Sequence, residues 1–158
     1  MMSCGEDGYI KSCHTVVGAA KKIESRIRED PALNADLQII GRPLVSVVAF
    51  TSTTLNIYDI SDAMSAKGWH LNALQNPPAM HVAVTLPIVA VADKLVADLA
   101  AVVSEEKDKE RDRMISGKGK KGGVKGDAAA LYGVAGSLPD KRIVVELATV
   151  FLNTLYKV

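Results

Sequence analysis

The chain carries three histidines, His14, His70 and His81, and two cysteines, Cys4 and Cys13, as its first candidates for metal or proton chemistry. A structural zinc ion needs four converging Cys or His ligands, usually supplied as closely spaced pairs. Cys4, Cys13 and His14 lack that spacing, and His70 and His81 fall on separate predicted strands. No metal site is expected, and the histidines read as polar side chains satisfied by hydrogen bonds. A serine nucleophile would need a base, an orienting acid and, usually, a strained Gly-x-Ser-x-Gly elbow. No such elbow occurs, and Ser137 after Gly136 suits a helix cap better.

Two further stretches invite a chemical reading. The segment Gly117-Lys118-Gly119-Lys120-Lys121-Gly122-Gly123-Val124-Lys125-Gly126 could offer backbone N–H groups and lysine charge to a phosphate. A Walker loop, however, ends in Gly-Lys-Ser/Thr and lies between a strand and a helix. Neither condition holds, so a solvated loop is expected, with phosphate or RNA binding as the alternative. Tyr132 sits among small residues in Ala128-Ala129-Ala130-Leu131-Tyr132-Gly133-Val134-Ala135-Gly136. A tyrosine so placed can approach a ligand closely and present its hydroxyl as a donor or proton shuttle. Packing in a short helix is the competing reading.

These residues must be held by elements that the hydrophobic pattern outlines. Asp7 can cap a helix from about Gly8 to Asp30, with Ile10, Cys13, Val16, Val17, Ala20, Ile23 and Ile27 on one face. Residues 1–7 are expected to be frayed, as if the chain began in the middle of something. Pro31 ends the helix. Leu37 to Ile40 and Leu44 to Phe50, split by Gly41-Arg42-Pro43, predict a hairpin. Asn56 can cap a second helix carrying Ile57, Ile60 and Met64, which Gly68 stops. Trp69 to Gln75 and Met80 to Thr85, joined by Asn76-Pro77-Pro78, read as two more strands. Thr85 with Pro87 then opens one long helix whose stripe is Ile88, Val91, Leu95, Leu99 and Val102. A flexible loop is expected over 114–127. A last helix from about Leu138 to Tyr156, apolar around most of its circumference, needs more protein to pack against than one small sheet provides.

The implied architecture is a single α+β domain, a short antiparallel sheet with helices on one face. Its 158 residues are 48% hydrophobic and only 4% aromatic, so an aliphatic core is expected. Nineteen Lys and Arg against 18 Asp and Glu leave no charge excess to attract nucleic acid. The longest apolar stretches fall short of the roughly 20 residues that span a bilayer, and no secretory signal is evident. Two cysteines make no disulfide framework, so a reducing compartment is expected.

Several blocks resemble one family, in order along nearly the whole chain. They are Asp7-Gly8-Tyr9-Ile10, then Gly41-Arg42-Pro43-Leu44-Val45-Ser46-Val47-Val48-Ala49-Phe50, and Ala66-Lys67-Gly68-Trp69-His70-Leu71-Asn72-Ala73-Leu74-Gln75. Pro77-Pro78, the stretch from His81 to Thr85, Ala130-Leu131-Tyr132-Gly133 and the run from Val145 to Tyr156 continue the match. Together they resemble the C-terminal region of sphingosine-1-phosphate lyases, pyridoxal-phosphate enzymes related to the group II decarboxylases. The Lys-Gly-Trp-x-Leu-Asn-x-Leu-Gln block is the most specific. The Lys/Gly stretch from Gly117 to Gly126 is longer than the family's pattern.

The resemblance implies the small C-terminal domain of a fold-type I enzyme that cleaves phosphorylated sphingoid bases to a long-chain aldehyde and phosphoethanolamine. It also implies a cofactor lysine on a large domain outside this chain, a homodimer partner, and attachment of the whole enzyme to the endoplasmic reticulum, facing the cytosol. By it, Tyr132 is the candidate catalytic and substrate-contacting residue and His81 a substrate-binding candidate. No cofactor-binding residue is expected within the chain, which alone should be inactive. A non-catalytic module that docks on a complete lyase is the alternative.

Overall fold

The computed structural model describes residues 5–116 and the helix over 142–155. Helix α1 spans Gly5–Glu29, so Gly5, Glu6 and Asp7, expected to be frayed, form its first turn, and Asp7 is not its cap. Two acidic residues there and Arg26 and Arg28 in the last turn complement the helix dipole. Its core face is buried only in the second half, at Ala19, Ala20, Ile23 and Ile27. In the first half Tyr9 and Ile10 are exposed, since no described element covers them.

Pro31 ends α1 and also starts α2, the single turn Pro31–Asn34. Proline suits the first position of a helix because the N–H it lacks would have no intrahelical partner there. The Asp30 side chain caps this turn, accepting from Ala32 N at 3.0 Å. Strand β1, Leu37–Ile39, pairs antiparallel with β2, Val47–Ser52, Ile39 lying opposite Phe50. The ladder is longer than the strands alone, with Ile40 N donating to Ala49 O at 2.8 Å.

Helix α3, Ile57–Ala66, starts where the pattern places it. Asn56 has extended backbone and its side chain accepts from Tyr58 N at 3.1 Å. At the other end Gly68 takes φ 88°, and Trp69 N reaches back to Met64 O at 3.0 Å. That pairing closes the helix in the left-handed way glycine permits at least cost. Strands β3, Asn72–Leu74, and β4, Ala79–Ala83, form the second hairpin.

The two hairpins join through their second strands, giving the all-antiparallel order β1-β2-β4-β3. In that register Val48 faces Val82 and Phe50 faces Met80, so one face of the sheet is continuous apolar surface. Onto it pack α1, α2 and α3, backed by α5. The core is aliphatic as the composition requires, with Ile23, Ile27, Leu33, Ile60, Met64, Leu95 and Leu99 fully buried around Phe50.

The predicted single helix after Thr85 is two. Helix α4 covers Leu86–Val89 and α5 covers Ala92–Ile115, and Val91, expected in the apolar stripe, stands at the break and is 38% exposed. Thr85 occupies the position before α4 but makes no side-chain cap. Helix α5 carries the charge run from Glu105 to Arg113 to its end. Met114 and Ile115, placed by the pattern in a flexible loop, belong to its last turn, Ser116 follows as its C-cap, and 117–127 lie outside the described residues. The final helix, α6, is Arg142–Leu155.

Candidate functional site

Because β-strand side chains alternate, the register that buries Met80 and Val82 sends His81 to the sheet's other face. There it lies in a row across three strands, opposite Ala49 of β2 on one side and Asn72 of β3 on the other. Asn72 Nδ2 and His81 Nε2 are 3.3 Å apart, and His81 is half-buried. Its other flank is the small side chain of Ala49. Among the described residues its hydrogen bond is to Asn72, and no carboxylate joins it to form an acid–base pair. Such an arrangement can orient a polar group but does not build a general base with its own orienting acid.

The other histidines stand apart. His70 is exposed ahead of β3, and His14 and Cys13 are exposed on α1. Among the described residues no group of three or more potential metal ligands converges. Cys4, Tyr132, Ser137 and the Gly117 to Gly126 segment lie outside the described residues.

A second polar cluster fixes the strand that carries Asn72. The Trp69 indole N–H donates to Asp98 Oδ2 at 2.8 Å, and Lys94 Nζ stands 5.3 Å from the ring centroid while pairing with the same carboxylate. The Lys94 hydrogen bond, followed by that from Trp69, holds the Asp98 carboxyl below the usual carboxylate range. Edge strand β3 is thereby tied to α5 at its entry. The Lys94–Asp98 pair is readable as an i,i+4 spacing. Its capture of Trp69 from 29 residues away is not.

Asp36, between α2 and β1, is also missed by the pattern. It is 6% exposed, accepts from Thr54 Oγ1 at 2.8 Å, and its Oδ2 lies 2.8 Å from Lys107 Nζ. Burial pushes its carboxyl up, but the Lys107 ammonium beside it and the Thr54 hydrogen bond together hold it below its ordinary value. A carboxyl depressed on folding stabilises the fold above its unfolded pKa of about 4, and that contribution is lost as pH falls through the lower folded value. Asp36→Asn should therefore cost about 1–3 kcal/mol at pH 7. It should also flatten the acid limb of a urea-midpoint-against-pH curve below about pH 4. An acid limb identical in the two proteins would remove Asp36 from this role. Asp59 on α3 runs the other way, since burial and the Glu106 charge on α5 push its carboxyl up.

Comparison with known proteins accounts for nearly the whole chain. No family model matches it. A sphingosine-1-phosphate lyase from Saccharomyces cerevisiae is 42% identical over 157 residues, covering 99% of this chain and 25% of the yeast protein. One from Arabidopsis thaliana is 38% identical over 156 residues, 99% of this chain and 26% of that protein. Among solved structures, a Burkholderia pseudomallei sphingosine-1-phosphate lyase superposes with a TM-score of 0.60 at 29% identity, over 73% of this chain and 26% of that one. The chain thus spans about a quarter of the length of the relatives it matches.

Proposed function

We propose that this chain, similar over 99% of its length to sphingosine-1-phosphate lyases, is the small C-terminal domain of such an enzyme. The observation that carries the reading is the extent of that match, in which 157 residues align at 42% identity with a quarter of a protein of that name. The parent reaction is the cleavage of a phosphorylated sphingoid base to a long-chain aldehyde and phosphoethanolamine. On this reading the remainder of the lyase, as a homodimer at the endoplasmic reticulum, supplies the larger part of the site. Among the described residues no helix is long and apolar enough to cross a membrane.

Pyridoxal phosphate, which the family implies, supplies an electron sink when bound. The residues described here do not fit it. A lysine that carries the cofactor has to sit in a site shielding the ring, whereas every described lysine is exposed. On this reading the cofactor lysine lies in the part of the lyase outside the matched quarter, and this chain's part is to complete and shape the site. His81 and Tyr132 are its two candidate contributors, His81 as an orienting hydrogen-bonding group and Tyr132 as a hydroxyl donor.

A chimera tests the proposal. The matched quarter of the yeast lyase is replaced by this chain, and release of long-chain aldehyde from a phosphorylated sphingoid base is followed, with the isolated chain assayed beside it. The chimera should turn over, and the isolated chain should give neither aldehyde nor a single borohydride-fixed cofactor adduct. A folded chimera without turnover would remove the enzymatic reading, and turnover by the isolated chain would remove the claim that it is only a part. A second reading is a non-catalytic module that docks on a complete lyase, favoured by exposed Ile143, Val145 and Val150 on α6. Co-purification of this chain with unmodified yeast lyase, combined with an inactive chimera, would select it.

A further inference from the structure

No further inference is drawn: the strongest candidate, the sheet face opposite the helices that carries Ala49, His81 and Asn72, is a surface for which nothing among the described residues shows what covers it.

Discussion

Phe50→Ala should destabilise the purified chain by about 3–5 kcal/mol, measured as a shift in urea midpoint at constant slope. Phe50 is 1% exposed and lies in the middle of the sheet, opposite Ile39 on one side and Met80 on the other. Truncation removes both the transfer energy of the ring and the contacts its neighbours make with it, because paired strands cannot collapse into the space. Domains of this size are stable by only about 5–15 kcal/mol, so the loss is a large share of the total. Phe50→Leu, which keeps much of the apolar volume, should cost under about 1.5 kcal/mol. Leu44→Ala makes the contrast, since Leu44 is 74% exposed and should change stability by no more than about 0.5 kcal/mol. A Phe50→Ala loss below 1 kcal/mol would mean that the helices do not close over the sheet as described.

In the yeast chimera, Tyr132→Phe should lower kcat/KM roughly 10- to 100-fold, the worth of one hydrogen bond to a charged group. What singles out Tyr132 is its sequence context, Ala130-Leu131-Tyr132-Gly133, within the blocks that resemble the lyase family. The split between constants identifies its role. A hydroxyl that binds phosphate equally in ground and transition states raises KM and spares kcat. A proton shuttle instead lowers kcat, by on the order of 10²–10⁴. Unchanged constants would make Tyr132 a packing residue. His81→Gln serves as the comparison, because glutamine keeps a hydrogen-bonding side chain beside Asn72 while removing the imidazole.

How much of this is legible in the sequence depends on the range of the interaction that decides each feature. Asn56 and Gly68 are legible because a cap and a left-handed stop act within a few residues of themselves. The inward positions Trp69, Leu71 and Ala73 are legible too and do pack toward the core, although the strand predicted from Trp69 to Gln75 is only Asn72–Leu74. The break between α4 and α5 is not. Apolar periodicity runs straight through Ile88, Val91 and Leu95, and only the backbone, with Val91 N donating to Ile88 O at 3.0 Å, shows the tightened turn.

Sheet order is hidden for a different reason. A hairpin pair could join through other strands, and the β2–β4 choice is made by Val48 meeting Val82 and Phe50 meeting Met80, pairs far apart in the sequence. Candidate-site geometry inherits that difficulty. His81 is visible as a residue, but its company is set by register, and the Trp69–Asp98 and Asp36–Lys107 contacts join segments far apart in sequence. Family resemblance located the chain where side-chain chemistry alone could only exclude complete sites.

The order β1-β2-β4-β3 also sets which backbone edges the described sheet leaves open. Strands β2 and β4, the longest of the four, are each flanked on both sides, so neither offers a free row of N–H and C=O groups to a stranger. Among the described residues the outer positions fall to β1 and β3, of three residues each. Edges that short give an incoming strand little to template on, and self-association by sheet extension is opposed by the topology itself.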